Sequence, residues 1–175
     1  MSAGWVESRV CLHPIVYSGG MELRIATLGR HSLKRGPAEQ LVAGYCERID
    51  HFCRCRGEHY ATEEKFLAAE GALGQPRGRT RPMLVLLDSR GKLFSSMELA
   101  EWLRLRREDG TQRLVFAIGP ADGWSQAARE RAGLLLSLGP LTLPHELAAV
   151  VLAEQIYRAF TIVEGHPYHL GHAGG

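Results

Sequence analysis

Residues 136–169 read LSLGPLTLPHELAAVVLAEQIYRAFTIVEGHPYH, and this stretch decides the fold of the chain. An apolar strand stops at Gly139, a second apolar piece stops at Pro144, and apolar residues then recur at helical spacing over residues 145–162. Glycine reaches backbone conformations that side chains forbid, whereas proline holds φ nearly constant. The loop between strand and helix is therefore predicted to keep one shape. A tail rich in histidine and tyrosine follows the helix.

Strands and helices alternate through the rest of the chain. Apolar runs predict strands near residues 21–29, 83–87, 114–118 and 134–138. Helical spacing or capping residues predict helices that begin at Pro37 and after Thr62, Ser95 and Ser125. The pattern is weakest between Arg54 and Arg81, where a strand near His59 has little support. The alternation predicts one α/β domain with a parallel sheet flanked by helices.

Glycine-bearing loops follow the strands that are predicted to end at Leu87, Ile118 and Leu138. The carboxyl ends of parallel strands meet at one edge of a sheet, and ligands bind beyond that edge. The chain has no GxGxxG after its first strand and no GxxxxGK[ST], so neither a dinucleotide site nor a P-loop is predicted. The three loops predict a pocket for another ligand.

The composition is that of an ordinary soluble globular protein. The chain has 175 residues, 45% hydrophobic and 23% charged, with a formal net charge of +2. This length can bury a core without a disulfide or metal, and so small a charge does not by itself indicate a nucleic-acid surface. No apolar run approaches the length of a membrane span. Residues 1–20 lack the features of a signal peptide and are expected to form a flexible extension, with residues 21–175 as a single domain.

The cysteines raise the question of a metal site: Cys11, Cys46, Cys53 and Cys55. Their spacing does not match the paired ligand knuckles of structural zinc. Cys46 and Cys53 also fall on the apolar face of the helix predicted from Pro37, where cysteine behaves as a small hydrophobic residue. We therefore expect no metal, and reduced thiols in a cytoplasmic protein.

The loop, helix and tail of residues 136–169 resemble the carboxyl end of the ribosomal RNA large subunit methyltransferase H family. LTLPH, EQIYRA and HPYH carry the resemblance at these distances, and FAIGPADG, LLDSRGKLFSS and MELRIATLGR extend it over residues 21–169. The family belongs to the SPOUT class of enzymes. The resemblance implies a homodimer in which the last strand and helix form a C-terminal trefoil knot. It also implies methylation of N3 of a pseudouridine in 23S rRNA of the assembled ribosome, with S-adenosyl-L-methionine as cofactor.

The resemblance also implies which residues hold the cofactor. They lie at the three strand ends, where apolar side chains are expected to sandwich adenine and backbone groups to read its edge. Carried over position by position, they are Leu87, Gly119, Leu138, Gly139, Pro140, Leu141, Thr142 and Leu143. Taken singly, each leucine is better explained by core packing, whereas together, on three strand ends with glycines between them, they favour the pocket.

The implied reaction asks for a proton acceptor, because N3 of pseudouridine carries a proton that must leave before methylation. Histidine accepts a proton near neutral pH. We expect the catalytic residues to be His169, Tyr168, His145 and Arg158, with Tyr168 stacking on the base and Arg158 binding phosphate or oxygen. The alternatives are that His145 only caps the helix or donates a core hydrogen bond, and that Arg158 only pairs with Glu154.

Three positions depart from the family pattern. Pro120 stands where a second glycine is common, Ala149 where an arginine is usual, and Leu170 where a basic residue usually continues the tail. These departures leave two further readings open. One is a catalytically degenerate knotted module that binds S-adenosylmethionine or RNA, and the other is a SPOUT methyltransferase that acts on another RNA such as tRNA.

Overall fold

The computed structural model describes residues 20–29, 36–70, 81–166 and 168. The strands of this described part are β1 (Glu22–Leu28), β2 (Arg54–Tyr60), β3 (Met83–Leu93), β4 (Arg113–Ile118) and β5 (Leu134–Ser137). Its helices are α1 (Pro37–Ile49), α2 (Glu63–Glu70), α3 (Ser96–Glu108), α4 (Gln126–Arg131) and α5 (His145–Val163). The strands form one sheet in the order β2-β1-β4-β3-β5, and every neighbouring pair is parallel. The predicted α/β architecture is confirmed.

The sheet has a hydrophobic core on each face. Successive side chains of a strand point to opposite faces, so β4 places Leu114 and Phe116 in one core and Val115 and Ala117 in the other. Helices α1, α3 and α5 cover the first face, and α2 and α4 cover the second. Burial on both faces explains why the strand was apolar throughout in the sequence.

The helix starts follow the predicted capping residues. The Ser95 hydroxyl accepts a hydrogen bond from the backbone N–H of Glu98, and the Glu98 carboxylate accepts one from the N–H of Ser95 at 2.7 Å. The Ser125 hydroxyl likewise accepts from the N–H of Ala128 at 3.1 Å. These bonds satisfy N–H groups that have no partner inside their helices. The capping predictions at Ser95 and Ser125 are confirmed.

Strand β2 corrects the sequence analysis. The region near His59 showed little strand character, yet residues 54–60 pair with β1 along their whole length. In this strand only Cys55 is buried, because β2 lies at the edge of the sheet. Main-chain hydrogen bonds to β1 therefore make this strand, and an alternating apolar pattern is not needed to hold it.

Helix α1 is shorter than its apolar pattern predicts. It ends at Ile49, and the backbone N–H groups of Phe52 and Cys53 both donate to the Ile49 carbonyl, at 2.8 and 3.0 Å. Cys53 therefore lies beyond the helix, in the turn that leads to β2. Leu41 of this helix belongs to its apolar sequence pattern, yet its side chain is 53% exposed.

Strand β3 is longer than predicted and pairs with β5 on both sides of an irregular segment. The sequence predicts that the strand ends at Leu87, but it continues to Leu93, and Leu136 of β5 has backbone partners on both sides of the irregular segment, Leu87 and Lys92. At Gly91 the two backbones touch: a Cβ there would lie 2.6 Å from the carbonyl carbon of Leu135. The trefoil knot stays a prediction.

Helix α5 is the central element of the first face. The predicted helix over residues 145–162 is confirmed as the 19-residue helix His145–Val163, which packs against both α1 and α3. Its fully buried residues include small alanines that let the neighbouring helices approach closely: Ala149, Ala153 and Ala159. Phe160 stacks on Phe52 with ring centroids 5.7 Å apart.

We predict that Gly91→Ala destabilises the protein by about 2–3 kcal/mol or prevents folding, because the new methyl group meets backbone that cannot move without breaking the pairing of β3 with β5. Urea unfolding measures the change. The matched control is Gly44→Ala in α1, where a Cβ meets nothing within 4 Å. That substitution should leave stability unchanged or raise it by about 0.5–1 kcal/mol. Equal stabilities of the two variants would contradict the close backbone contact at Gly91.

Candidate functional site

The loop after β5 has the preformed shape that its glycine and prolines predict. Gly139 has φ of +128°, a backbone region that favours glycine. The Ser137 hydroxyl accepts from the Gly139 N–H at 3.2 Å and lies 3.3 Å from the Gly139 carbonyl, to which it donates. Leu141 is 80% exposed, so this apolar side chain points away from the core of the chain. The loop thus presents an apolar surface on a held backbone.

Trp124, a residue that the sequence analysis missed, joins the loop after β4 to strand β3 at Leu87. Its indole N–H donates to the Leu87 carbonyl at 2.8 Å. Its ring lies directly against Gly119, where a Cβ would be 2.7 Å from the indole. Trp124 is buried and packs against Phe66 of α2 in the second core, with ring centroids 5.6 Å apart. An aromatic residue directly after a Gly-rich strand-end loop was the signal that could have found it.

A buried ion pair holds the segment that follows Leu87. The Asp88 carboxylate is 5% exposed and accepts from the Arg129 guanidinium of α4 at 2.8 Å. It also accepts from the backbone N–H of Arg90 at 2.9 Å. Burial alone would raise the pKa of Asp88, but these hydrogen bonds lower the pKa below its ordinary value. The carboxylate therefore stays charged and keeps residues 88–90 against α4.

His145 lies among the strand ends and not at a helix cap. The N-cap residue of α5 is Pro144, which makes no side-chain capping bond, whereas the backbone group that acts on the His145 ring is that of Gly119. His59 at the end of β2 is its electrostatic neighbour and lies 3.2 Å from the Thr27 hydroxyl of β1. Partial burial lowers the pKa of His145, and the Gly119 and Glu146 oxygens oppose that shift. A neutral imidazole at pH 7 can accept a proton.

Arg158 and Tyr168 lie together at the other end of α5. Arg158 pairs with Glu154 at 2.6 Å, as the i,i+4 alternative predicted. Its guanidinium also lies over the Tyr168 ring, 5.1 Å from the centroid. Tyr168 packs edge-on against Tyr157 at 4.8 Å. His169, the remaining expected catalytic residue, lies outside the described residues, as does Leu170.

The four expected catalytic residues are therefore not brought together within one chain. His145 and Arg158 are 13 positions apart on α5, which corresponds to about 20 Å along the helix axis at a rise of ~1.5 Å per residue. His145 shares the strand-end edge with Leu87 and Gly119, whereas Tyr168 and Arg158 form a second cluster at the carboxyl end of the helix.

Two cavities lie on the face of the sheet covered by α1, α3 and α5. The smaller one, about 240 Å³, lies between β5, α5 and the start of α3. Of the eight expected cofactor residues it is lined only by Leu138. The larger one, about 980 Å³, lies between α1 and β2 and is lined by none of them. The described residues contain no cluster of three or more His, Cys, Asp and Glu suited to a metal ion. Across the same residues, no helix is long and apolar enough to span a membrane.

Helix α5 exposes less apolar surface than its apolar sequence suggests. Three of its apolar residues are buried in the chain's own core: Ala148, Leu152 and Ile156. Val151 is 37% exposed, and Leu147 is 52% exposed. These two exposed residues lie on the first two turns of α5.

We predict that His145→Asn makes stability less dependent on pH. The folded-state pKa of His145 lies below the ordinary value of 6.5, so the unfolded chain takes up its proton first as the pH falls. Wild-type stability is then progressively lost below about pH 6.5, until the folded-state pKa is reached. Urea unfolding between pH 8 and pH 5 measures both slopes. At pH 8, His145 is neutral in both the folded and the unfolded chain, so the stability difference between wild type and His145→Asn at that pH gives the packing cost of the substitution. Parallel curves would contradict this assignment.

The comparisons with known proteins agree with this architecture. Residues 21–169 match the family described as "Predicted SPOUT methyltransferase". A protein of Koribacter versatilis named ribosomal RNA large subunit methyltransferase H is 45% identical over 87% of this chain and 100% of its own length. A protein of the same name from Allorhizobium ampelinum is 36% identical over 85% of this chain and 99% of its own length.

A solved structure supports the fold independently of close sequence identity. The chain is similar to a probable methylase family protein from Haemophilus influenzae Rd KW20, with a TM-score of 0.53 at 12% identity. The match covers 85% of this chain and 68% of that one. With the family match spanning residues 21–169 and relatives matched along their whole length, the chain belongs to the SPOUT methyltransferase family.

Proposed function

We propose that this protein is a cytoplasmic enzyme that transfers the methyl group of S-adenosyl-L-methionine to N3 of a pseudouridine in 23S rRNA of the large ribosomal subunit. The observation that carries the proposal is the Trp124 side chain, which joins Leu87 of β3 to Gly119 in the loop after β4, two of the residues expected to hold the cofactor. The full-length match to relatives named ribosomal RNA large subunit methyltransferase H supports the substrate class.

The cofactor site that we propose consists of the eight strand-end residues. The residues present suit an adenosine group, because Leu138, Leu141 and Leu143 offer apolar contacts and the turn at Gly139 exposes backbone without a side chain. The cofactor supplies an electrophilic methyl group. The protein's part is to hold the loops in one conformation, which lowers the entropy lost on binding. Trp124, Ser137 and the Asp88–Arg129 pair provide this support.

The chemistry that we propose for the side chains is removal of the N3 proton and placement of the base. His145, at the loop exit, and His169, in the tail, are the two candidates for the proton acceptor. Tyr168 is suited to stacking on the base, and Arg158 to an oxygen or phosphate of the RNA. The Arg158–Glu154 ion pair and the contact of Arg158 with the Tyr168 ring hold the side chains of Arg158 and Tyr168 against each other.

We further propose that the active enzyme is a homodimer in which the tail of one chain completes the site of the other. Within a chain, α5 separates Tyr168 from His145 by most of its length. If two α5 helices pair antiparallel about a two-fold axis, the carboxyl end of one helix lies beside the amino end of the other. The exposed Leu147 and Val151 of α5 and Leu41 of α1 supply apolar surface for that pairing.

Two of the three sequence departures fit the fold without disturbing the proposed site. Pro120 begins a tight turn in which its carbonyl accepts from the Gly123 N–H at 2.9 Å. Ala149 is fully buried in the first core, where its small side chain packs. The third, Leu170, lies outside the described residues.

The test of the proposed function is transfer of labelled methyl groups from S-adenosylmethionine to three substrates: ribosomes assembled without this modification, free 23S rRNA and tRNA. We expect transfer to the ribosome, mapped to N3 of a single pseudouridine by mass spectrometry. Methylation of tRNA instead would indicate another RNA substrate. Binding of the cofactor, measured by calorimetry, without transfer to any RNA would indicate a degenerate binding module.

We predict that deletion of residues 167–175 leaves affinity for S-adenosylmethionine unchanged, because the strand-end loops stay intact. Methyl transfer to ribosomes should fall by about 100-fold or more, the scale expected for loss of one acid–base group. Calorimetry and the ribosome assay measure the two effects. Unchanged transfer by the shortened protein would exclude the tail from catalysis and leave His145 as the candidate proton acceptor.

Mixed dimers test whether the tail acts across the interface. The deletion chain is co-expressed with a Leu141→Glu chain, which keeps its tail but loses an apolar contact of the cofactor loop. If each site uses the partner's tail, a purified mixed dimer has one intact site and about half of the wild-type activity. If each tail serves its own chain, the mixed dimer has no intact site and stays inactive.

A further inference from the structure

The end of α1 and the start of β2 bring two cysteine thiols together. Cys46 lies on the last turns of α1 and Cys55 is the second residue of β2. Each thiol is the largest influence on the pKa of the other, so the two side chains are direct neighbours. Asp50, directly after α1, holds the strand in place by accepting from the Cys55 backbone N–H at 2.9 Å. The contact is therefore set by the turn between the two elements.

Both thiols are shielded by the fold but line a large cavity. Cys46 is 7% exposed and Cys55 is 8% exposed. Both line the cavity of about 980 Å³ between α1 and β2, together with His51, Asp50 and Glu47. A small polar molecule can reach the sulfur atoms through a cavity of this size, whereas a protein cannot. Cys53, the neighbouring cysteine, packs against the first core and is not among the residues that line the cavity.

We propose that Cys46 and Cys55 form a reversible oxidation site, at which a small hydroperoxide oxidises Cys46 and Cys55 then closes a disulfide. The site is separate from the strand-end loops and from the cluster of Arg158 and Tyr168. In a reducing compartment, such disulfides are transient and serve redox sensing.

The roles of the two thiols follow from their surroundings. The neighbouring Cys55 thiol stabilises the Cys46 thiolate and lowers the pKa of Cys46, although burial and the carboxylates of Asp50 and Glu47 act against it. The thiolate is the form that attacks a peroxide. The same contact, followed by burial, raises the pKa of Cys55. Burial raises the pKa of Cys53 to about 12, which leaves it an inert thiol.

The proposed reaction balances in two steps. In the first, the Cys46 thiolate attacks the terminal peroxide oxygen, an S–O bond forms, the O–O bond breaks, and the departing hydroxide or alkoxide takes up a proton to leave as water or an alcohol. In the second, the sulfur of Cys55 attacks the sulfenic acid of Cys46, an S–S bond forms, the S–O bond breaks, and water leaves with the proton of the Cys55 thiol. Two thiols are oxidised by two electrons and the peroxide is reduced by two.

The experiment is peroxide treatment of the folded protein in a Cys11→Ser background, followed by alkylation and non-reducing peptide mapping. We expect a peptide pair linked through Cys46 and Cys55, lighter by two hydrogens and restored by dithiothreitol. Cys53→Ser is the matched control and should give the same linkage at the same rate. A principal linkage that includes Cys53, or unmodified Cys46 after treatment, would overturn the proposal.

The order of the steps is tested with single variants. Cys55→Ser should leave Cys46 as a sulfenic acid that reacts with dimedone, because the closing thiol is gone. Cys46→Ser should leave Cys55 reduced at the same peroxide dose, since the attacking thiolate is gone. Dimedone labelling of Cys55 in the Cys46→Ser protein would overturn the assignment of roles. Thermal melting of each variant confirms that the comparison concerns folded protein.

Discussion

At Gly91 the chain touches the backbone of β5 with no room for a side chain. This contact lets β3 continue past Leu87 and pair with Leu136 and Ser137 from a second position, Lys92 and Leu93. As a result, β5 pairs with β3 at two positions along that strand. The loop that follows β5 therefore starts beside β3, and the proposed cofactor site depends on that placement.

The strand-end loops are stiff because their neighbours support them. Trp124 joins the loop after β4 to β3 at Leu87, the Asp88–Arg129 pair holds the residues that follow Leu87, and Ser137 closes the turn at Gly139. Loss of the Asp88–Arg129 pair would leave a buried carboxylate without its cation. Loops arranged in this way lose little entropy when a ligand binds.

Helix α5 separates the two chemical clusters. Its buried face joins α1 to α3, while His145 lies at one end and Arg158 with Tyr168 at the other. A rigid helix cannot bend to bring its ends together, so His145 and Arg158 stay apart within one chain. In the proposed homodimer, a two-fold axis across antiparallel helices would place unlike ends side by side.

Local patterns in the sequence determined most of the elements of this protein. Apolar runs placed β1, β3, β4 and β5, capping residues placed the starts of α3 and α4, and the length of α5 followed from its spacing, because each signal is carried by neighbouring residues. The tertiary structure alone decided β2, whose polar residues gain their strand from pairing with β1. It also decided the close approach of Gly91 to the backbone of β5, the contact of Trp124 with Leu87 and the meeting of Cys46 with Cys55. These features join residues that are not neighbours in the chain, so their physical cause is the packing of one element on another and no local pattern records it.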